Sequence, residues 1–254
     1  MSDSFILFSL LLYGCIWGSF LMVVGLRVPL HQSIISTPSH CPHCQHRLSA
    51  FELIPVLSYL LQRGTCYQCH RKIPPLYPLT ESLAAGLLAL SYFKANGDLF
   101  FFLQLFLLLT FGLIFFVSDL SYQLLPDVIM LPFLLLSLVW IFYAHPTQLM
   151  IRGFTGLVFF LLFSLMYHFY PGSIGGGDVK YFGILAFLVG YQQMILALLL
   201  TSLSALLICL PLYLLKGYDK KQPIPFAPFI FFGSFTAVYI GTAFFQSLPI
   251  FLLP

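Results

Sequence analysis

The stretch that decides the fold is LFFFLQLFLLLTFGLIFFV, residues 99–117, a run of 19 residues without a charge. A helix of roughly 20 apolar residues is long enough to cross the hydrocarbon core of a bilayer. The rest of the 254-residue chain has the same character, with 60% hydrophobic residues, 7% charged residues and a mean hydropathy of +0.97. This composition predicts an all-α polytopic membrane protein and excludes a soluble enzyme, a disordered protein and a nucleic-acid binder.

About eight apolar segments are predicted to be transmembrane helices. Segment 179–190 is short for a full span, so a half-helix or a re-entrant segment is an alternative there. Segment 5–26 is expected to be a permanent span rather than a signal peptide, because it lacks a basic region before the apolar run. The predicted spans are 5–26, 79–95, 99–117, 128–145, 150–170, 179–190, 192–215 and 227–248.

The long polar stretch after the first helix suggests three parts and an orientation. The parts are the first helix (1–26), a polar loop (27–78) and the remaining transmembrane region (79–254). If the loop is cytoplasmic, nine Lys and Arg residues lie on that face and two on the other, which the positive-inside rule favours. Both termini are then external, and Asp119 and Asp178 are at the cytoplasmic face. The nine are Arg27, Arg47, Arg63, Arg71, Lys72, Lys180, Lys216, Lys220 and Lys221, and the two are Lys94 and Arg152.

Four of the six cysteines lie in the polar loop as two CxxC pairs. Cys41 and Cys44 form the first pair, and Cys66 and Cys69 form the second, with 21 residues between the pairs. Two such pairs supply the four thiolates that a tetrahedral structural Zn²⁺ site needs. Disulfides are the alternative, although a reducing cytosol disfavours them. Neighbouring histidines could also replace a thiolate, and these are His40, His43, His46 and His70.

Two of the eight acidic residues lie at predicted membrane boundaries. Asp119 follows the apolar run 99–117, and Asp178 lies between three glycines and the short apolar segment 179–190. Ionisable groups are costly there, so a functional role is the default hypothesis. The structural alternatives are a helix cap for Asp178 and a side chain reaching interfacial water for Asp119. Asp127, after Pro126, is a third candidate that also fits a helix cap.

A pair of carboxyls suggests a specific chemistry. When two carboxyls lie close together, one holds a proton while the other acts as a base, as in aspartic proteases. The glycines 175–177 would let a substrate strand approach without obstruction by side chains. A phosphate-binding loop is a poor alternative, because the Lys-Ser/Thr of a Walker motif is missing.

Several motifs together resemble the bacterial type IV prepilin peptidases, the bifunctional leader peptidases and N-methyltransferases of the GxGD aspartyl protease group. GSFLMVVGLRVP at 18–29 resembles the family's GSFLNVVxxRxP, with Met22 in place of Asn. The order of the remaining motifs also agrees with the family over nearly the whole chain. These are both CxxC pairs, IPVLSYL at 54–60, Arg63-Gly64, Tyr77-Pro78 with Glu81, Asp119-Leu120, LPD at 125–127, GGGD at 175–178 and IPFAPF at 224–229.

The resemblance implies a function and assigns roles. It implies that Asp119 and Asp178 are the catalytic dyad of an aspartic-type endopeptidase in the bacterial inner membrane. The substrates would be type IV prepilins and pseudopilins, cleaved after a glycine at the cytoplasmic face of the lipid bilayer. The new amino terminus would then be methylated with S-adenosyl-L-methionine, for which Glu52 and Gly64 are the candidate binding residues.

The motifs also differ from the family pattern at three further places. Leu53 replaces an Asn, Thr65 stands where a basic residue is common, and Ala227 replaces a Gly. The first two lie in the loop on which methyl transfer depends in the family, so methylation is less secure than proteolysis.

Two other classes remain as alternatives. A transporter would also place acids beside a broken helix, although no internal repeat is visible, and a zinc-loop membrane scaffold would need no chemistry at Asp119 and Asp178.

Overall fold

The computed structural model describes residues 3–170, 172, 174–216 and 224–247, with the backbone alone for 212, 215, 216 and 242–247. Within these residues, α-helices are the main regular elements, which confirms the all-α prediction. Each of the eight predicted segments is a helix, and α2 is a short addition in the polar loop. Lys220 and Lys221 lie outside the described residues. The helices are α1 (Asp3–Arg27), α2 (Leu57–Leu61), α3 (Leu76–Ala95), α4 (Leu99–Tyr122), α5 (Asp127–Ala144), α6 (Leu149–Phe169), α7 (Gly176–Val189), α8 (Tyr191–Lys216) and α9 (Ala227–Ser247).

Five segments of the described chain are long and apolar enough to cross a membrane, which confirms a polytopic protein. They are Asp3–Leu30, Leu99–Tyr122, Asp127–Ala144, Pro146–Phe169 and Tyr191–Pro211. The described apolar part of α9, Ala227–Gly241, is shorter. Helix α7 has only 14 residues, as the sequence suggested. The number of eight spans stays a prediction.

The chain forms two compact units, residues 1–96 and 97–254. In the first unit, α1 and α3 pack through small residues. A Cβ added at Gly14 would lie 2.5 Å from Ala85 Cα, and one at Gly18 would lie 2.7 Å from Ala84 Cβ. Such small-residue faces let helix backbones approach closely inside a membrane. The boundary between the units follows α3, whereas the predicted division at residue 78 separates parts by role and stays a prediction.

The second unit is held together by aromatic side chains and close helix contacts. Phe111 stacks on Phe133 with ring centroids 4.6 Å apart, and Phe115 lies 4.8 Å from Tyr181. These rings join α4, α5 and α7. Eleven of the 14 residues of α7 are buried. A short helix is therefore tolerated here, because the surrounding protein covers its backbone.

The end of α7 is fixed by side chains from two other helices. The Leu188 carbonyl accepts hydrogen bonds from Gln104 Nε2, at 3.3 Å, and from the Arg152 guanidinium. The guanidinium also lies 5.5 Å from the ring centroid of Trp140. The last carbonyls of a helix have no partner within the helix, so these donors stabilise the end of α7. These contacts anchor the helix whose opposite end carries Asp178.

Candidate functional site

Asp119 lies in the last turn of α4 and is buried, with 6% of its surface exposed. Its Oδ2 accepts a hydrogen bond of 2.8 Å from the backbone N–H of Ala227, the first residue of α9. The alternative of a side chain reaching for interfacial water is therefore wrong, because the carboxyl points into the protein and is bound there.

Asp178 is the third residue of α7 and is also buried, with 8% of its surface exposed. Its Oδ2 accepts a long hydrogen bond of 3.3 Å from the N–H of Gly175, which precedes the helix. This bond resembles half of a capping box, so capping accounts for one oxygen. The other oxygen, Oδ1, is buried and has no hydrogen-bond partner among the described residues. Capping therefore explains only part of the side chain.

The two carboxyls lie close enough for the charge of Asp119 to act on Asp178. Helix α4 ends just after Asp119, and helix α7 begins just before Asp178. The start of α9 also contacts Asp119, through the N–H of Ala227. The structure thus brings together two buried carboxyls that are 59 positions apart in the sequence. Two buried carboxyls whose charges repel each other suit general acid and base chemistry, since burial and repulsion favour one proton between them.

The loop between α4 and α5 supports the start of α7. The Ser118 hydroxyl donates a hydrogen bond to the Leu124 carbonyl. A Cβ added at Gly177 would lie 2.7 Å from Leu125 Cβ, so only glycine fits against this loop. Ser118, Leu125 and the amide of Ala227 are neighbours of the two aspartates to which the motifs alone assign no role. Their signal in the sequence is their place beside Asp119-Leu120 or inside the LPD and IPFAPF motifs.

Asp127, the third candidate, has a different environment. It begins α5 and its side chain is 69% exposed. Both of its oxygens pair with Lys180 Nζ, at 2.6 and 2.8 Å. An exposed carboxylate with a lysine partner has the character of a surface ion pair, and its exposure distinguishes Asp127 from the buried Asp119 and Asp178.

The four loop cysteines form one cluster in the first unit. Their Sγ atoms all lie within 4.8 Å of one another. Across the two pairs, Cys41 Sγ lies 3.8 Å from Cys69 Sγ, and Cys44 Sγ lies 3.9 Å from Cys66 Sγ. A tetrahedral zinc with bonds of about 2.3 Å requires sulfur atoms ~3.8 Å apart. The thiols are free rather than joined as disulfides.

The two CxxC segments have the same backbone conformation. The N–H of Cys41 bonds to the carbonyl of His46, and the N–H of Cys66 bonds to that of Arg71. Gln45 and His70, each four residues after the first cysteine of its pair, have positive φ of 59° and 55°. These turns form two knuckles, residues 40–47 and 65–72, that present their cysteines in the same way.

Backbone donors favour the thiolate form at two of the four cysteines, whereas burial and the neighbouring thiols raise the pKa of Cys44 to about 12. Hydrogen bonding, chiefly from the backbone of Cys44, lowers the pKa of the Cys41 thiol to about 7. The backbone of Cys69 and Gln68 lowers the pKa of Cys66. Thiolates are the form that binds metal, so both shifts favour a metal site.

The neighbouring histidines have other partners. His46 Nε2 lies 3.3 Å from Glu52 Oε2, and His43 Nδ1 lies 3.3 Å from Arg71. His40 Nδ1 lies 3.1 Å from the Pro38 carbonyl. The donor set of the cluster is therefore four cysteines, which is the set typical of a structural zinc site.

Comparisons with known proteins agree with this geometry. Residues 12–95 match the bacterial peptidase A24 N-terminal domain, and residues 106–210 match the type IV leader peptidase family. A prepilin leader peptidase/N-methyltransferase of Bacillus subtilis is 34% identical over 239 residues, covering 91% of this chain and 93% of the relative. The chain belongs to the type IV leader peptidase family.

Other relatives with the same name support this membership. The proteins of Stutzerimonas stutzeri and Pseudomonas aeruginosa are each 30% identical over 267 residues, covering 94% of this chain and 91% of each relative. No solved structure matches the chain significantly. The resemblance found in the motifs is thus confirmed at the level of the whole chain.

The two residues that the family resemblance linked to the methyl donor lie in different settings. Glu52 Oε2 accepts hydrogen bonds of 2.9 Å from both the N–H and the hydroxyl of Ser49, whereas Oε1 is buried and has no hydrogen-bond partner among the described residues. Gly64 has a φ of +69°, and a Cβ there would lie 2.9 Å from the Tyr59 hydroxyl. Gly64 is therefore required by its turn, whatever else it does.

The family motif residue Glu81 connects the loop to α3. It is buried, and its Oε2 accepts a hydrogen bond of 2.7 Å from the N–H of Val56. Val56 has a φ of +60°, which is strained for a β-branched residue. Nearby, Met22 replaces the family's Asn, and its sulfur accepts a hydrogen bond of 3.3 Å from the Thr80 hydroxyl. Glu81 thus holds the turn that begins α2.

Proposed function

We propose that this protein cleaves the leader peptide of type IV prepilins and pseudopilins after a glycine, with Asp119 and Asp178 as the catalytic dyad. The observation that carries the assignment is the buried carboxyl pair, in which one oxygen, Asp178 Oδ1, is not used by the described residues. An aspartic protease needs such an oxygen to contact the attacking water or the substrate. The names of the relatives support the substrate class.

The proposed reaction is a general acid and base hydrolysis. The ionised carboxylate takes a proton from water while the water oxygen bonds to the carbonyl carbon of the scissile glycine. The other carboxyl donates its proton to the carbonyl oxygen, which gives a tetrahedral diol. The first carboxyl then passes the proton it took from water to the departing amine, while a hydroxyl of the diol returns a proton to the second carboxyl and restores the pair. The C–N bond breaks, and the products are the leader's new carboxylate and the mature amino terminus.

The cysteine cluster is proposed to hold a structural Zn²⁺. Four thiols at tetrahedral spacing, two of them with a lowered pKa, fit this ion. A closed set of four protein ligands leaves no position for water, so the role would be structural. The ion would supply folding energy to the two knuckles, which have few buried apolar side chains of their own.

Methyl transfer to the new amino terminus is the second proposed activity. S-Adenosylmethionine would supply the methyl group, and the buried Oε1 of Glu52 is an acceptor suited to its hydroxyl or amino groups. Hydrogen bonds from Ser49 lower the pKa of Glu52, and the bond from the Ser49 backbone N–H has the largest effect. The carboxylate therefore stays charged at neutral pH. Gly64 would act by keeping the turn beside Tyr59.

The orientation of the protein is proposed from its charges. The loop with the knuckles is placed in the cytoplasm by its Arg and Lys residues. Asp119 and Asp178, at the end of the second unit that also bears Lys180, are placed at the same side of the bacterial inner membrane. A prepilin whose basic leader stays in the cytosol would present its scissile bond at that depth.

A single assay separates this function from the alternatives. Purified protein in detergent is incubated with a synthetic prepilin and S-adenosylmethionine, and the products are measured by mass spectrometry. The proposal predicts a leader peptide and a mature peptide that is heavier than the cleaved form by one CH₂, about 14 mass units, because one methyl group replaces a hydrogen. A transporter or a zinc-loop scaffold would return the prepilin intact.

A further inference from the structure

We propose that the backbone N–H of Ala227, at the start of α9, is a positioning group that fixes Asp119 as the proton-accepting member of the dyad. This inference rests on the proposed peptidase function. It assigns a reaction role to the IPFAPF segment, residues 224–229, to which the family resemblance gives no role. It also distinguishes the two aspartates, which the motif match alone treats alike.

The first support is the direct hydrogen bond. The first N–H groups of a helix have no partner within the helix, and the N-terminal end of a helix favours negative charge. Ala227 N–H is such a group, and it donates to Asp119 Oδ2 at 2.8 Å. A hydrogen bond to the charged form of a carboxyl stabilises that form, so this contact favours an ionised Asp119.

The second support is the fixed placement of α9 against α4. A Cβ at Gly112 would overlap the ring of Phe231, so the absence of a side chain on α4 lets this ring of α9 pack directly against it. Phe116 of α4 also contacts Phe231 and Phe232, with ring centroids 6.4 and 6.0 Å apart. Ala227 lies one turn before Phe231 and is fully buried. The helix start therefore has little freedom to move away from Asp119.

The third support is the contrast with Asp178. Its one hydrogen bond, from Gly175 N–H, is long at 3.3 Å, and its Oδ1 has no partner among the described residues. The dyad is thus asymmetric, with a strong backbone donor on Asp119 and an oxygen on Asp178 that remains available to substrate. In the reaction, Asp119 accepts the proton of the attacking water and later gives it to the departing amine. Asp178 gives its proton to the scissile carbonyl and regains one from the diol as the C–N bond breaks.

The test removes the N–H and keeps the side chain. Lactic acid is incorporated in place of Ala227 by nonsense suppression in the full-length protein, which converts the amide to an ester and deletes only this donor. The rate of cleavage, as kcat/KM for a synthetic prepilin, is then measured against pH. A hydrogen bond to a charged group is worth about 1.5–3 kcal/mol, which corresponds to ~1–2 pH units. Loss of the donor should therefore shift the acidic limb of the profile to higher pH by ~1–2 units, and activity should partly recover as the pH is raised.

Two further variants control the experiment. Ala227→Gly keeps the N–H and should leave the acidic limb unchanged. Ala227→Pro deletes the N–H by ordinary mutagenesis at a helix position that tolerates proline, so it replaces the ester if that protein does not fold. Proline also places a ring carbon against Asp119, so its loss of activity should be larger.

The outcomes separate this inference from the proposed function. If the ester and proline variants keep the acidic limb of the wild type, or lose activity equally at every pH, Ala227 has no positioning role and the inference is overturned. Cleavage by the wild type in the same experiment leaves the peptidase function standing. If the wild type does not cleave prepilin at all, both the function and the inference are wrong.

Discussion

The two candidate sites of this protein are built in opposite ways. Each cysteine knuckle is a single turn of chain, and its two cysteines are three positions apart. The aspartate site combines the end of α4, the start of α7 and the start of α9. Asp178 lies 59 positions after Asp119 along the chain, and Ala227 lies 108 positions after it. Local backbone conformation determines the first site, whereas helix packing determines the second.

This difference predicts different responses to mutation. Loss of a cysteine should loosen the knuckles and leave the dyad unchanged, because the cysteines lie in the first unit and the dyad is built only from residues of the second. A change that shifts a helix by a fraction of an ångström should affect the dyad even when it lies outside it. Mutation can therefore distinguish a site that depends on local backbone conformation from one that depends on helix packing.

The largest effect is expected from the dyad itself. Asp119→Asn and Asp178→Asn keep the shape of the side chains but cannot exchange a proton, so cleavage should fall by roughly 10²–10⁴-fold. Cleavage of a synthetic prepilin by each purified variant measures this, and thermal unfolding confirms that the variants are folded. Near-normal cleavage by Asp178→Asn would remove the catalytic pair from the proposal.

Loss of the carboxylate in the loop should separate the two activities. Glu52→Gln removes the charge while keeping the size of the side chain, so methylation should fall by at least about tenfold, the effect of losing one hydrogen bond to a charged group. Cleavage in the same reaction should be unchanged, because the dyad is built from other residues. Mass spectrometry of the mature amino terminus measures both. Unchanged methylation would exclude Glu52 from the methyl-donor site.

Glu52→Gln is a better probe of methylation than a change at Gly64. The left-handed backbone of Gly64 and its contact with the Tyr59 hydroxyl mean that a substitution such as Gly64→Val would distort the turn itself. Loss of methylation in that variant would then not distinguish a binding site from a damaged loop.

Removal of one thiol should reduce metal binding with little effect on cleavage. Cys41→Ser leaves three thiolates, so bound zinc should fall well below the roughly one ion per chain expected for the wild type. Elemental analysis measures the metal, and hydrogen exchange of residues 40–72 measures the loosening of the knuckles. Cys209→Ser, in α8 and outside the cluster, is the matched control. Full zinc in Cys41→Ser would contradict the four-cysteine site.

The cysteine site could be predicted almost completely from the sequence. The spacing within each CxxC pair already places both thiols on one turn, so the structure had only to bring two turns together. The histidines could not be excluded from the sequence, because their partners, such as Glu52 for His46, depend on the folded loop. The helices were also predictable, since apolar runs such as 99–117 permit few other structures in a membrane.

The aspartate site was predictable only in part. The positions of Asp119 and Asp178 at helix boundaries were visible, but choosing them over Asp127 needed the family resemblance. The pairing of Lys180 with Asp127, and of Ala227 N–H with Asp119, depends on which helices pack together. Spacing along the sequence carries no information on those contacts, so Ala227 was noted only as a departure from the family pattern.

A packing change beside the dyad should have an intermediate effect. Gly177→Ala places a Cβ 2.7 Å from Leu125 Cβ, so the loop or the start of α7 must move. Overpacking of this kind costs about 1–3 kcal/mol, and we expect cleavage to fall by about tenfold. Gly153→Ala, where an added Cβ meets nothing within 4 Å, is the control and should be neutral.

A second substitution tests whether that contact is the cause. Leu125→Gly removes the Cβ that the new methyl group of Gly177→Ala would meet. The double variant should therefore cleave faster than the product of the two single effects predicts. Strictly multiplicative effects would show that Gly177 acts independently of the loop between α4 and α5.

The smallest effect is expected at Asp127, the carboxylate nearest to Asp119 along the chain. Its side chain is 69% exposed and its partner Lys180 is 47% exposed, so water already solvates both charges. Exposed ion pairs contribute about 0–1 kcal/mol, and Asp127→Asn should therefore change stability and cleavage by no more than a few-fold. The charge-reversed pair Asp127→Lys with Lys180→Asp should retain activity, whereas Asp127→Lys alone places two cations together and should be worse. Kinetics of the three variants with a synthetic prepilin provide the measurement. If Asp127→Asn abolished cleavage as completely as Asp178→Asn, burial would no longer distinguish the catalytic carboxyls from the exposed one, and the assignment of the dyad would have to include Asp127.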